Sequence, residues 1–356
     1  MKSFPVIKPI DKKIFKIEFK DPYLKPAVIE TEEQFKELIQ NLIANKRQEE
    51  AKELTQQWIN LKKEHFKLNY HGKFLNLGIK TAIMGIINVT PDSFSNGSED
   101  YKDINKILKK VEFMLENGAD IIDVGGESTR PGATPISADE EIERVIPVIQ
   151  AIRKNLGDRF LLSVDTYKST VADIAVSEGA DIINDISGMT FDDKMADVVA
   201  KHDCHIVINH IKGTPQTWQT QEIYYDDVVY EIIEFFKNQI SFGISRGIKP
   251  DRFIIDPGIG FGKKVEHNVE IIKRLDEFKI LGLPILIGIS RKSFLNIILK
   301  NLLNRPDTLP KERLPATLGA TAYAVLKGAH IVRVHDVKET AEFLTILDTI
   351  RGYKIE

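Results

Sequence analysis

The chain has 356 residues, 42% hydrophobic and 28% charged, which suits one large soluble domain with an extension or two ordinary domains. With 49 Lys and Arg against 52 Asp and Glu, the net charge is -3, so no global field favours nucleic acid or an anionic membrane. No apolar run approaches the ~20 residues of a membrane helix. Residues 1–10 hold two prolines and no apolar core of a secretory leader, and Cys204 is the single cysteine, so no internal disulfide can form. A reducing cytoplasm is the expected compartment.

Residues 1–30 mix Lys, Pro and isolated apolar residues and read as loop or short strand. A helix is expected from about Thr31, which has capping-box spacing with Gln34. Phe35, Leu38, Ile39, Leu42 and Ile43 recur at helical spacing, and Leu54, Trp58 and Leu61 continue the pattern. We therefore expect residues 1–65 to form a mainly helical N-terminal extension that packs on the main domain or on a partner. It carries no recognisable chemistry.

From about residue 80, short apolar runs alternate with longer amphipathic stretches. The runs lie at 82–87, 120–124, 160–164, 181–183, 205–208, 253–255, 284–289 and 330–334. They are rich in Ile and Val, as strands buried on both faces should be. Helices are expected between them, for example at 105–116 and 139–153. Ser137 precedes the second and stands three residues before Glu140, another capping-box spacing.

Gly118-Ala119-Asp120, Gly179-Ala180-Asp181 and Gly328-Ala329-His330 repeat one unit, in which a glycine ends a helix and a strand begins. Alternation of this kind argues a parallel sheet. Eight units in this length predict an α/β fold, a (β/α)8 TIM barrel over 66–356. An open doubly wound sheet is the alternative. The even spacing and the lack of a glycine-rich nucleotide loop after the first strand speak against it.

In such a barrel the active site lies at the C-terminal ends of the strands. The runs end in Asn88, Asp123, Asp165, Asn184 with Asp185, Asn209 with His210, Asp256, Ser290 through Ser293, and Arg333 with His335. Any one of these could simply cap a helix; together they describe a hydrogen-bonding mouth. Asp165, Asn184 and Asp256 suit a flat heterocycle rich in N–H groups. Lys292, Arg333 and His335 are donors and potential cations that suit a phosphate. Two weaker signals are set aside. The glycines at 258, 260 and 262 lack dinucleotide-loop spacing. His202, Cys204 and His205 are close in sequence, but alternation along a strand separates Cys204 from His205.

Two long stretches resemble dihydropteroate synthase motifs. They are Ile-Met-Gly-Ile-Ile-Asn-Val-Thr-Pro-Asp-Ser-Phe-Ser-Asn-Gly at 83–97 and Gly-Ala-Asp-Ile-Ile-Asp-Val-Gly-Gly-Glu-Ser-Thr-Arg-Pro-Gly at 118–132. Shorter stretches at 163–166, 183–185, 210–215, 256–263, 290–293 and 332–335 are similar to the same family. The resemblance runs from about residue 66 to the C-terminus and implies residue roles. Asp165, Asn184, Asp256, Phe261, Lys292 and Arg333 would bind the pterin. Asn88, Arg333 and His335 would hold the pyrophosphate, with Asn88 near a Mg2+ ion. Phe94, Thr129, Pro131 and Ser293 would surround p-aminobenzoate, Ser293 at a helix start that favours a carboxylate. Asp165, Lys292, Arg333 and His335 would be catalytic, and Asp123 and Arg130 would serve loop closure.

The implied reaction joins 6-hydroxymethyl-7,8-dihydropterin pyrophosphate to p-aminobenzoate through a cationic pterin carbon, so no nucleophilic triad is needed. Loops after Asn88 and Gly126 would exclude water, and a homodimer is implied. Asn96, Asn209 and Asn296 depart from the family pattern, where aspartate, an apolar residue and glycine are common; Asn296 raises the expectation of an altered helix start. Two other functions share parts of the pattern. A methyltransferase holding methyltetrahydrofolate would share Asp165, Asn184 and Asp256 but would not need Asn88, Lys292, Ser293, Arg333 and His335 together. A non-catalytic pterin-binding scaffold would bind without turnover.

Overall fold

The computed structural model describes residues 4–11, 14–19, 25–90, 103–130, 132–214, 217–218 and 222–353. The chain divides into two compact units. One holds residues 1–64 together with 274–283, and the other holds 65–273 and 284–356.

In the first unit, β1 (Val6–Asp11), β2 (Ile14–Glu18) and β3 (Ala27–Ile29) form an antiparallel sheet in that order. Two helices follow, α1 (Glu32–Ala44) and α2 (Gln48–Leu61). Thr31 and Gln34 make the full reciprocal capping box. The apolar periodicity expected to run on as one segment is broken at Asn45–Arg47. Lys46 takes a left-handed φ of 59°, and Arg47 N–H closes on Leu42 O at 2.8 Å. A polar three-residue link thus ends the first helix. Trp58 stacks on Phe35 at 4.3 Å and meets Phe15 edge-on. Buried Gln57 accepts from Ile7 N–H and donates to Pro5 O, which ties α2 to the edge of the sheet.

The second unit is a closed parallel barrel. Its strands are β6 (Ala82–Asn88), β7 (Ile121–Gly125), β8 (Leu161–Asp165), β9 (Ile182–Asp185), β10 (His205–Asn209), β11 (Phe253–Asp256), β12 (Leu286–Ile287) and β13 (Ile331–Val334). They pair in the order β11-β10-β9-β8-β7-β6-β13-β12, and a bridge from Ile255 to Ile285 closes the ring. Each expected apolar run contains a strand, though in the run at 284–289 it is only Leu286–Ile287. Helices α3 (Ile104–Glu116), α4 (Ala138–Leu156), α5 (Ser169–Ser177), α6 (Met195–His202), α7 (Val228–Ser245), α8 (Val265–Lys273), α9 (Ser293–Leu303), α10 (Leu314–Leu326) and α11 (Val337–Ile350) alternate with them. Among the described residues no helix is long and apolar enough to cross a membrane.

The repeated Gly-Ala-Asp/His unit has a second purpose beyond its turn. Ala119, Ala180 and Ala329 N–H reach back to Met114, Ala175 and Ala324 carbonyls, as helix-ending turns do. The next side chain then accepts a backbone N–H at the start of a neighbouring strand. Asp120 takes Ile83 N–H at 3.0 Å, Asp181 takes Leu162 N–H at 2.9 Å, and His330 Nδ1 takes Ile285 N–H at 3.1 Å. Ser137 caps α4 through Glu140 N–H, but Glu140 turns to Arg144 instead of completing a box.

The N-terminal end of the barrel is packed shut. Met84, Ile121, Leu161, Ile182, Val207, Ile254, Leu286 and Ile331, one from each strand, form a single buried cluster. The hairpin of β4 (Phe66–Tyr70) and β5 (Lys73–Leu77) adds Leu68 and Leu77 to it. The hairpin turns at His71-Gly72, both at positive φ, the geometry a two-residue connection needs. His205 Nε2 accepts from Asn69 N–H at 3.0 Å. His205 is therefore a latch for the hairpin, while Cys204 is buried and His202 pairs with Asp173 at 2.6 Å.

Candidate active site

The opposite end of the barrel is polar because β6, β8, β9, β10 and β11 end in Asn88, Asp165, Asn184 with Asp185, Asn209 and Asp256, while Asp123 and Arg333 lie near the ends of β7 and β13. Arg333 on β13 reaches across the interior to β7 and β8. Its Nε donates to Asp123 Oδ2 and its Nη2 to Asp165 Oδ2, both at 2.6 Å. Asn184 on β9 donates to the same Asp123 oxygen at 3.1 Å. Asp123, assigned from sequence to loop closure, thus lies inside the barrel on β7 and is fully buried. Its Oδ1 has no hydrogen-bond partner among the described residues. A buried acceptor without a donor is costly. Burial pushes the Asp165 carboxyl up, against the pull of Arg333. Burial also works against the Arg333 charge, but Asp123 and Asp165 overcome it and hold the guanidinium protonated.

Across the mouth, Lys292 precedes α9 and sets its ammonium 4.0 Å from the centre of the Phe261 ring. Burial and Arg333 bring Lys292 down to about 8, against the pull of Asp256. Asp256 ends β11, accepts Gly258 N–H at 2.8 Å, and is pushed up by burial. The glycines after Asp256 are explained by interlocking backbones. A Cβ on Gly258 would lie 2.0 Å from His210 O, and one on Gly262 would lie 2.0 Å from Lys212 O. Both have positive φ, so the loop after β11 fits against the loop after β10 only without side chains. Lys263 fastens the two loops, donating to His210 O and Phe261 O.

His335 follows β13 and sets Nδ1 3.0 Å from Ser290 Oγ. Burial and Arg291 push His335 down to about 3, which favours its neutral form in the free site. Arg291 sits at a φ of 62°. Asp336 grips its guanidinium with two oxygens, while Arg313 and Thr317 hold its backbone. This frame presents Lys292 and, at the exposed first residue of α9, Ser293. Asn88 ends β6 and is half-buried. Thr129 is half-buried and Arg130 exposed after β7. Phe94, Asn96 and Pro131 lie outside the described residues.

Two of the departures have structural accounts. Asn209 is buried and donates to Ile186 O at 2.7 Å, holding the segment after β9. Asn296 accepts from Thr308 N–H and Oγ–H and donates to Asp307, so it folds back the chain that follows α9. The helix still begins at Ser293. Among the described residues no group of His, Cys, Asp or Glu is placed to hold a metal ion, and the Cys204 thiol is raised by burial to about 12. Sequence reasoning missed Glu127, Glu141, Tyr167 and Lys168, which form one partly buried network beside the mouth. Glu127 lies inside a quoted motif; nothing in the sequence ties Glu141 or Lys168 to it.

The fold and this mouth define a pterin-binding barrel, and a family profile described as "Pterin binding enzyme" matches residues 84–335. The dihydropteroate synthase of Synechocystis sp. is 43% identical over 273 residues, which cover 77% of this chain and 91% of the relative. That of Bacillus subtilis is 43% identical over 271 residues, 76% of this chain and 89% of the relative. The Yersinia pestis synthase, solved with a sulfonamide drug, superposes with a TM-score of 0.73 at 38% identity, covering 81% of this chain and all of that one. The Xanthomonas albilineans synthase, solved with 4-aminobenzoic acid, gives 0.71 at 37% identity, covering 81% of this chain and 99% of that one. The chain belongs to the dihydropteroate synthase family.

Proposed function

We infer that the chain condenses 6-hydroxymethyl-7,8-dihydropterin pyrophosphate with p-aminobenzoate, giving 7,8-dihydropteroate and pyrophosphate. The observation that carries the reading is the Arg333 bridge between two buried carboxylates, beside an acceptor that nothing in the described chain satisfies. Asp123, Asn184 and Asp256 offer acceptors to the N–H edge of a flat pterin, and Phe261 offers an apolar face. Lys292 and Arg333 supply positive charge for the leaving group.

In the reaction the pterin methylene–oxygen bond breaks and pyrophosphate departs with the electron pair. The arylamine nitrogen then attacks the cationic carbon and gives up a proton. Asp165 and Asp123 lower the cost of that positive charge, and Lys292 and Arg333 the cost of the departing negative one. His335 offers a hydrogen-bonding imidazole beside Ser290. Ser293 at the first turn of α9 suits the carboxylate of p-aminobenzoate, where a helix start contributes about 0.3–1 kcal/mol at an exposed site. The amide oxygen of Asn88 is a hard donor that fits Mg2+, an ion that keeps most of its shell as water and phosphate oxygens. When bound, that ion would neutralise charge on the pyrophosphate.

Exposed Ile297, Leu302, Leu303, Tyr323, Leu326, Ile346 and Ile350 on α9, α10 and α11 support a homodimer through these helices. Light scattering on the purified protein tests it. A cytoplasmic location agrees with the single buried thiol. The function is tested by mixing purified protein with the pterin pyrophosphate, Mg2+ and p-aminobenzoate, omitting each in turn. Dihydropteroate formed in equal amount to pyrophosphate, and only in the full mixture, is expected. Pterin binding without turnover would turn the reading to a binding scaffold.

A further inference from the structure

The segment from Gly126 to Ser137 connects β7 to α4 and carries Thr129. Its two ends are gathered by one side chain. The Glu127 Oε2 atom accepts Ile136 N–H at 3.4 Å and an ammonium proton from Lys168. The Oε1 atom accepts the Tyr167 hydroxyl at 2.8 Å. The Lys168 ammonium is shared with Glu141, a carboxylate on α4 that is 1% exposed and pushed up by burial. Arg144, also on α4, donates to Gly126 O at 2.8 Å. So the start of the segment, its end and the first turns of α4 converge on one partly buried knot of charge.

The knot also reaches the pterin wall. Tyr167 lies two residues past Asp165, and its ring packs against the cluster of Ile186, Ile211 and Phe261. The Lys168 ammonium rests 4.7 Å from the centre of that same ring. Tyr167 and Lys168 therefore belong to the frame that holds Asp165 and Phe261, while Glu127 belongs to the segment that holds Thr129. A lone carboxylate–ammonium pair on the surface would contribute little. Here two carboxylates share one largely covered ammonium, a geometry with few alternatives once formed.

We propose that Glu127 is a positioning residue that pins the Thr129 segment to the pterin wall, setting p-aminobenzoate affinity through Tyr167 and Lys168. The proposal rests on the synthase reading for its substrate. The described contacts of Glu127 are with Ile136, Tyr167 and Lys168. Its loss should loosen the arylamine side while the strand-borne pterin groups stay in place.

Steady-state kinetics with both substrates varied would test the pin in Glu127→Gln, Lys168→Met and Lys168→Arg. Glu127→Gln and Lys168→Met should raise the KM for p-aminobenzoate about tenfold or more, with kcat and the pterin pyrophosphate KM changed less than about twofold. Lys168→Arg should restore wild-type values. A p-aminobenzoate KM unchanged, or both KM values raised equally, would overturn the pin. Should Glu127→Gln not fold, Tyr167→Phe removes one donor without touching the charges and should give the same split at smaller size. Amide hydrogen exchange of the free protein gives a reading that needs no turnover. Exchange at 128–136 should quicken in Glu127→Gln while strand amides hold, and unchanged exchange there would equally overturn the pin. If the wild type makes no dihydropteroate, the synthase reading fails by itself, and the exchange result still decides whether Glu127 holds the segment.

Discussion

The same eight strands end in two different ways. At their N-terminal ends each contributes at least one apolar side chain to a sealed cluster, and the hairpin of β4 and β5 closes it. Charged groups there are consumed by structure. Asp181 binds Arg153, Lys73 and a backbone N–H, and Asp348 binds Thr81 and Arg351. At their C-terminal ends the strands present Asp123, Asp165, Asn184, Asp256 and Arg333, with one carboxylate oxygen unsatisfied among the described residues. Stability is concentrated at one end and chemistry at the other, within a few residues of the same strand.

Arg333 is where that division should break, and it carries the largest expected effect. Arg333→Ala leaves Asp123 and Asp165 buried without a countercharge, so it should cost about 3–5 kcal/mol of stability as well as turnover. Urea unfolding alongside the product assay checks both. Lost turnover with full stability would show that the bridge does not bear on folding.

Met84→Ala sharpens the other side. Met84 is fully buried in the sealed cluster, and its truncation should cost about 2–5 kcal/mol. Turnover per folded molecule, measured well below the melting temperature, should stay at the wild-type value. A large drop in turnover would mean that the two ends are mechanically coupled.

Proton linkage offers a third view. Lys292 has a folded-state value brought down to about 8 from the ordinary 10.5. As pH rises through about 8 the folded protein loses this charge, and turnover should fall. Between about 8 and 10.5 the unfolded chain binds the proton more tightly, so the Lys292 contribution to stability should rise over the same window. The difference between wild type and Lys292→Met in pH-dependent unfolding reads that contribution, and a slope of opposite sign would refute it. The smallest effect is expected in the first unit. Thr31→Ala removes the cap of α1 and should cost about 1 kcal/mol with no change in turnover.

Much of this arrangement was legible in the chain itself. Eight Ile- and Val-rich runs mark eight strands because a strand buried on both faces has no polar alternation to blur it. The polar residues at the run ends mark the mouth because most of them stay buried, where a polar side chain needs a hydrogen-bond partner. What escaped reading depends on contacts across long separations. That Asp120, Asp181 and His330 stitch neighbouring strands requires knowing which strand lies alongside. The joining of Glu127 to Lys168 and Glu141 requires the loop after β7 to meet the start of α5. The split of α1 from α2 turns on a left-handed Lys46, a residue type that carries no such preference. The charge of His335 could not be read either, since burial and Arg291 set it.

The most direct test of the account is the turnover of Lys292→Ala, measured with its melting temperature. Lys292 meets the Phe261 ring and the mouth and takes no part in the sealed cluster. Dihydropteroate formation should fall about 10²–10³-fold, the scale of losing one preorganised charge stabiliser, while melting stays within a few degrees of wild type. Turnover at the wild-type rate in a folded Lys292→Ala protein would contradict the assignment of chemistry to this end of the barrel.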